Sequence, residues 1–146
     1  RDDIFARQKQ LGVIPADAPY LVFLGDAAHR DAGAELWVAA DERGVVGTVT
    51  FVEPTSALCE IAREGEAEIR SLAVAPSATG EGIGEALTRH VIARAREAGF
   101  GSVVLSSSTT MHAAHRIYER LGFTRLPERD WSPVPGVQLV AYVLPL

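Results

Sequence analysis

The sequence has 146 residues, 47% of them apolar, and a formal net charge of −5. This composition is typical of one globular domain with an ordinary hydrophobic core. It argues against binding to the phosphate backbone of nucleic acids, because that binding depends on clustered Lys and Arg. The single cysteine, Cys59, excludes an intramolecular disulfide and a four-cysteine zinc site.

Apolar runs in this sequence are short. The longest, such as Tyr20 to Leu24, are far below the roughly 20 residues of a membrane-spanning helix. The chain begins at Arg1, and no basic segment followed by an apolar one marks a secretory signal. We therefore expect a cytoplasmic protein without a membrane partner.

Two N-terminal segments have helical patterns. Residues 2–10 carry Ile4 and Phe5 among polar residues and predict a short helix or the remnant of one. A second helix is predicted from Asp17 and Pro19, which are typical of a helix start, to about Gly33. Its apolar positions recur at helical spacing: Tyr20, Leu21, Leu24, Ala27 and Ala28.

A β-hairpin and a third strand follow. Leu36 to Ala40 and Val45 to Val52 are β-rich runs around a polar turn. Pro54 to Gly65 is predicted as a loop and Ala67 to Val74 as the third strand. Alternate side chains of a strand share a face, so we expect this set on one face: Glu68, Arg70, Leu72 and Val74.

Helices and strands alternate in the second half of the sequence. Apolar positions recur at helical spacing from Ile83 to Ala98, before Gly99. A strand at 101–105, an amphipathic helix at 111–121 and a final strand at 137–144 complete the prediction. This order after a hairpin predicts an α/β (α+β) fold, a mixed sheet with helices packed on it.

A glycine-rich turn follows the third strand and leads into the helix that is predicted to end before Gly99. Its sequence is Thr79-Gly80-Glu81-Gly82-Ile83-Gly84, followed by Glu85. Glycines permit positive φ, and a helix start offers unpaired N–H donors at the positive end of its dipole. The turn therefore suits a phosphate or pyrophosphate, or it serves only as a helix cap. It is neither a Walker A motif nor a dinucleotide fingerprint, because no Gly-Lys-Ser/Thr follows and its spacing is G-x-G-x-G.

Two motifs together resemble the GNAT acetyltransferase superfamily. In that family a strand with a Leu-x-Val end, here Leu72-Ala73-Val74, precedes a Q/R-x-x-G-x-G/A loop that holds the pyrophosphate of acetyl-CoA. A later helix carries a tyrosine four residues before Gly-Phe, here Tyr118 before Gly122-Phe123. The resemblance covers roughly Leu36 to Leu146.

Three features depart from the family pattern. Thr79 stands where the family usually has Gln or Arg, and Met111 stands where many members have an Asn that contacts the cofactor. The family's first strand has no evident counterpart before Ile4. We therefore expect a single domain, residues 1–146, that lacks this strand.

The resemblance implies a fold, a cosubstrate and a reaction. The fold is a mixed, mostly antiparallel twisted sheet, with a central parallel pair splayed around the cofactor and helices on both faces. The reaction transfers the acetyl group of acetyl-CoA, without a metal, to a primary amine by direct attack in a ternary complex. The cofactor-binding set comprises Leu72, Ala73, Val74, Thr79, Gly80, Glu81, Gly82, Ile83, Gly84 and Glu85.

Two residues are predicted to be catalytic. Tyr118 resembles the family's general acid for the departing thiolate, or it is a core tyrosine whose ring packs inside. Glu68 is the general-base candidate, because its strand should face the thioester at its C-terminal end. Its alternative is an exposed carboxylate paired with Arg70 or Arg116.

Other candidates and partners follow from the same residues. His112 and His115 share a helix face without a third metal ligand, and Cys59 lacks an evident partner histidine for nucleophilic catalysis. The expected partner is a small-molecule or peptide amine, the carboxylates from Glu53 to Glu68 favouring a cationic one. No nucleic-acid partner is expected, and a homodimer is allowed. The alternative function is a non-catalytic acyl-CoA-binding or regulatory module of the same fold.

Overall fold

Strands and helices are assigned in a computed structural model that describes residues 21–24 and 33–146. The strands are β1 Leu21–Leu24, β2 Ala34–Asp41, β3 Gly44–Val52, β4 Glu66–Val74, β5 Ser102–Ser108, β6 Thr124–Arg125 and β7 Leu139–Pro145. The α-helices are α1 Ile83–Glu97 and α2 His112–Arg120, and 3-10 helices span Pro76–Ala78 and Pro127–Arg129.

The strands form one sheet in the order β1-β2-β3-β4-β5-β7-β6. Only β4 and β5 pair in parallel in this sheet, and α1 connects them, as a parallel pair requires a crossover. The other neighbours are antiparallel. These findings confirm the predicted mixed, mostly antiparallel sheet with a central parallel pair.

The helix predicted up to Gly33 is wrong at residues 21–24. These residues form β1, an edge strand that pairs with β2 from Leu21↔Ala40 to Leu24↔Trp37. A continuous apolar run of four residues fits a strand as well as a helix, and the open edge of β2 supplies its hydrogen-bond partners. The rest of that helix and the one at 2–10 lie outside the described residues. The absence of the family's first strand therefore stays a prediction.

A β-bulge interrupts β4. Arg70 pairs with Thr50 and Ala73 with Thr48, so β4 has one residue more than β3 between these two pairs. Ser71, in this stretch, has φ 56°. An extra residue exchanges the two faces of a strand. Leu72 and Val74 consequently pack with the core.

The expectation that the even-numbered residues of this strand share one face is therefore wrong. Before the bulge, Ile69 lies on the core face, and Glu68 and Arg70 point to the other face of the sheet. After the bulge, Leu72 and Val74 lie on the core face.

Helix α1 packs its apolar stripe against the core face of β3, β4 and β5. Leu87 and Val91 are fully buried against this face. Gly47 of β3 permits the close approach, because a Cβ there would lie 2.8 Å from Ile83 Cγ2 and 3.0 Å from Leu87 Cδ1. Helix α2 packs beside α1 on the same face, through Tyr118. Helices on the opposite face remain a prediction, since both helices in the described ranges lie on one side.

Candidate active site

Strands β4 and β5 pair over the first part of their length, and we call the space between their unpaired ends the cleft. Strands β4 and β5 pair from Glu66↔Ser102 to Ile69↔Leu105. Beyond these residues, β4 continues to Val74 and β5 to Ser108 without pairing to each other. The bulge lies where the divergence begins. Diverging strands leave backbone groups with which an extended ligand can pair, as a peptide does at a sheet edge.

The glycine-rich turn lies at the end of β4, between the 3-10 helix and α1. Gly80 has φ 84°, and Gly82, the N-cap of α1, has φ 80°. A Cβ at either position would meet nothing within 4 Å, so the backbone conformation, and not space, calls for glycine. Within the described residues no side-chain hydrogen bond caps α1, and its backbone ladder begins with Ala86 N–H donating to Gly82 O at 3.0 Å. The N–H groups of the first helical turn before Ala86 have no partner within the helix, and this set, which we call the N–H cradle, suits an anion.

Two of the predicted loop residues are buried parts of the helix start. Ile83 is 1% exposed and belongs to the core. A Cβ on Gly84 would lie 3.4 Å from Ile117 Cδ1, so this glycine sets the contact between the two helices. The side chain of Ile83 therefore faces the core, and these two positions can meet a ligand through their backbone.

Both acidic residues of the predicted loop are paired with arginines. Glu81 accepts from Arg43 at 2.7 Å. Glu85 accepts from Arg120 at 2.8 Å and from Arg89 at 3.1 Å. The Arg43 and Arg120 hydrogen bonds lower the pKa of Glu81 and of Glu85, respectively. Each carboxylate is thus paired with an arginine from a distant part of the chain, Arg43 for Glu81 and Arg120 for Glu85.

Tyr118 is a buried residue of α2 whose hydroxyl has no hydrogen-bond partner among the described residues. Its side chain packs against Phe123 and Tyr142, with ring centroids 5.7 Å and 5.9 Å away. Burial, with a smaller contribution from Tyr142, raises the pKa of Tyr118 to about 12. No hydrogen bond to this hydroxyl occurs among the described residues. The ring therefore serves the core, and the hydroxyl remains available to a ligand.

Glu68 holds the loop between β3 and β4. The residue is fully buried. Its Oε1 accepts N–H bonds from Ile61 and Ala62 at 2.8 Å each and from Glu60 at 3.1 Å. The alternative of an exposed carboxylate paired with an arginine is wrong, because it is Glu60 that pairs with Arg70, at 3.2 Å. The residues next to Glu68 in the sequence do not predict its burial or its N–H bonds, because the loop approaches Glu68 only in the folded chain.

The thiol of Cys59 lies beside the same carboxylate. It donates to Ala62 O at 3.3 Å and lies 3.6 Å from Glu68 Oε1. Burial, and then the charge of Glu68, raises the pKa of this thiol. Nucleophilic cysteines need the opposite shift, because the thiolate is the reactive form. The geometry therefore disfavours a covalent intermediate on Cys59.

His115 bonds the end of β5, a contact that was not predicted. Its Nε2 lies 3.1 Å from Ser107 Oγ and 3.0 Å from Ser108 O. The ring of His112 lies 6.0 Å away. Within the described ranges, no group of three or more His, Cys, Asp and Glu side chains is placed to hold a metal ion.

A parallel strand pair whose pairing ends beside the glycine-rich start of a helix is the arrangement that the resemblance to acetyltransferases implies. The model of the acetyltransferase (GNAT) family matches residues 3–123. The chain therefore belongs to this family.

Curated relatives agree with the assignment. The chain is 36% identical over 119 residues to N-acetyltransferase 8B of Homo sapiens, covering 77% of this chain and 50% of that protein. It is 33% identical over 108 residues to N-acetylaspartate synthetase of Danio rerio, covering 74% of this chain and 36% of that protein. The chain thus spans half or less of the length of these relatives.

Solved structures show the same fold. An acetyltransferase from Bacillus subtilis, in complex with CoA, matches with a TM-score of 0.66 and 16% identity, over 87% of this chain and 99% of that chain. The ribosomal-protein-S18-alanine N-acetyltransferase from Escherichia coli matches with a TM-score of 0.63 and 20% identity, over 82% and 73%. In the part of this chain that the structure describes, no helix has the length and apolarity to span a membrane.

Proposed function

We propose that this chain transfers the acetyl group of acetyl-CoA to a primary amine. The observation that carries the proposal is the cleft between β4 and β5, which opens at the cradle of N–H groups before α1. Both features lie at the carboxyl end of β4, so one extended acyl-CoA can occupy them together. Its pyrophosphate suits the cradle and its pantetheine arm suits the edge of β4.

Backbone groups provide most of the proposed cofactor contacts. Leu72, Ala73 and Val74 border the cleft after the bulge. An N–H of this segment that points at the acetyl carbonyl stabilises the oxyanion of the tetrahedral intermediate. Thr79, Gly80 and Gly82 supply the loop around the pyrophosphate.

Proton transfers accompany the proposed reaction. An ordinary amine has a pKa of about 10.4, so a base must take up a proton as the nitrogen attacks the thioester carbon. We assign this role to Glu68 Oε2, acting through a water relay because the carboxylate is buried. Among the described residues, Oε2 accepts a hydrogen bond from Glu60 N–H alone, at 3.3 Å, and Oε1 accepts three N–H bonds at shorter distances. The C–S bond then breaks, and the thiolate receives a hydrogen bond from Tyr118.

Tyr118 acts in this proposal mainly as a hydrogen-bond donor. Its pKa of about 12 keeps the hydroxyl protonated throughout the physiological range. Complete transfer to a thiolate, whose conjugate acid has a pKa of about 8.5, is uphill. Stabilisation of the leaving sulfur, with the final proton from solvent, is therefore the role we assign.

As the acceptor we infer a small-molecule or peptide amine, as the family implies. Among the relatives, N-acetylaspartate synthetase is named for a small amino-acid product. A non-catalytic module that binds acyl-CoA is the second candidate, supported by Thr79 and Met111 at two positions where the family has cofactor-contacting side chains.

Two measurements test the proposal. Thermal unfolding with acetyl-CoA, CoA or ATP tests the site, since a ligand at 100 times its Kd stabilises a protein by about 2.7 kcal/mol. We expect a rise of roughly 5–11 °C in Tm with acetyl-CoA and CoA and none with ATP. Thiol release from acetyl-CoA over an amine panel then separates enzyme from module. No shift at millimolar acetyl-CoA would contradict both candidate functions.

A further inference from the structure

Arg43 connects the β2–β3 turn to the glycine-rich loop. Its Nη1 donates to Ser77 O at 2.9 Å and to Glu81 Oε2 at 3.0 Å, and its Nη2 donates to Glu81 Oε1 at 2.7 Å. Asp41 Oδ2 accepts a hydrogen bond from Nη2 of the same guanidinium at 2.7 Å. One arginine thus binds two carboxylates and a carbonyl that lie on two separate segments.

The loop has weak hydrogen bonds of its own. Thr79 N–H donates to Pro76 O, and Glu81 N–H donates to Ala78 O, at 3.4 Å each. These distances exceed the usual 2.7–3.2 Å for an N–H···O bond. Two short bonds from Arg43, to Glu81 and to Ser77, are therefore the firmer ties at this end of the loop.

Charge gives Arg43 a second effect. Glu81 stands between the two glycines that shape the cradle, so its carboxylate would repel an anion bound to the nearby N–H groups. Arg43 offsets part of this negative charge, because Asp41 shares the same guanidinium, and it holds the Glu81 carboxylate toward the β2–β3 turn. The loop itself contributes no basic side chain, because Thr79 occupies the position where the family usually has Gln or Arg.

We propose that Arg43 is a positioning residue of the cofactor loop, acting on the cofactor through Glu81. By holding the Glu81 carboxylate and offsetting its charge, Arg43 keeps the N–H cradle open to the pyrophosphate. This inference rests on the proposed function for the identity of the anion. The positioning itself is independent of any ligand.

Calorimetric titration with CoA at low salt tests the electrostatic part. We expect Arg43→Ala to weaken CoA binding about fivefold, the effect of one unit charge a few ångströms away in a water-like medium. Glu81→Gln removes the repelling carboxylate itself and should bind CoA more tightly than the wild type, and the double variant should recover most of the affinity that Arg43→Ala loses. Arg96→Ala, which removes an arginine at the far end of α1, should leave the affinity unchanged.

Kinetics with two cosubstrates separate this role from a general structural one. Arg43→Ala should raise the KM for acetyl-CoA with little change in kcat. It should leave the KM for S-acetylpantetheine, which has no pyrophosphate, at the wild-type value. Hydrogen exchange without ligand tests the loop directly: amides of residues 79–82 should exchange faster in Arg43→Ala and not in Arg96→Ala.

Each unfavourable outcome overturns a distinct statement. A double variant as weak as Arg43→Ala shows that Arg43 does not act through Glu81 and overturns the inference. Unchanged exchange at residues 79–82 overturns the positioning role. A wild-type protein that binds no CoA, yet whose loop exchanges faster in Arg43→Ala, contradicts the proposed function and retains the positioning role.

Discussion

Glu68 provides a direct test of what its carboxylate does in the fold. In Glu68→Ala, the N–H groups of Glu60, Ile61 and Ala62 lose their acceptor. A buried donor without an acceptor costs about 1–3 kcal/mol. These loop residues retain some contact with water, so the low end applies, and three donors give about 3 kcal/mol. At this chain length, the loss corresponds to a fall of about 6–12 °C in Tm.

Glu68→Gln separates hydrogen bonding from charge. A glutamine oxygen in the place of Oε1 keeps the three N–H bonds, and the amide replaces Oε2, which accepts only at 3.3 Å from Glu60 N–H. Only the charge assistance is lost, so we expect a cost of about 1 kcal/mol. Urea unfolding of both variants and of Glu64→Ala, an exposed carboxylate of the same loop, measures the difference.

Two results would refute this reasoning. If the free energy of unfolding of Glu68→Ala lies within 1 kcal/mol of the wild-type value, the carboxylate does not hold the loop. If Glu68→Gln is as unstable as Glu68→Ala, the negative charge matters and the acceptor geometry does not. The glutamine variant also tests the base: a folded variant with wild-type turnover removes Glu68 from proton transfer.

Three further predictions concern the packing at Gly47, the burial of His90 and the hydroxyl of Tyr118. Gly47→Ala forces a Cβ to 2.8 Å from Ile83 Cγ2 and should destabilise the fold by about 1–3 kcal/mol in urea titrations; an unchanged midpoint would show that α1 can shift. Burial lowers the pKa of His90 to about 4, so its neutral form contributes stability above pH 6.5 that is lost as the pH falls toward 4. The free energy of unfolding of His90→Phe, relative to that of the wild type, should therefore rise by about 2–3 kcal/mol as the pH falls from 7 to 4. Equal dependence of this free energy on pH in the two proteins would contradict the burial argument. Tyr118→Phe removes a hydrogen bond to the leaving thiolate, worth about 1.5–3 kcal/mol, so it should lower kcat roughly 10- to 100-fold and leave CoA affinity unchanged; an unchanged kcat removes Tyr118 from the mechanism.

Elements defined by local patterns were predictable from the sequence. The hairpin from β2 to β3 follows from two β-rich runs around a polar turn. The helix α1 follows from apolar residues at helical spacing after glycines. These signals depend on neighbouring residues, so the tertiary fold did not need to be known.

Features set by distant contacts were not predictable. The bulge near Ser71 depends on the register between β4 and β3, and it reverses the faces that simple alternation assigns to Leu72 and Val74. The burial of Glu68 depends on a loop that folds over it. Arg43 has the sequence context of a solvated turn residue, and only the fold brings it to the loop before α1.

The proposed site depends on β4 more than on any other element. Its first half, on one side of the bulge, pairs with β5 and carries Glu68 on the face away from α1. Its second half separates from β5, turns Leu72 and Val74 toward the core and leads into the glycine-rich loop. Because one inserted residue reverses the faces of the strand, the side chain of Glu68 and those of Leu72 and Val74 point to opposite sides of the sheet, and the backbone of residues 72–74 remains to border the cleft. In the proposed reaction the acyl donor occupies the cleft, and the proton of the acceptor amine leaves toward Glu68, on the face opposite α1.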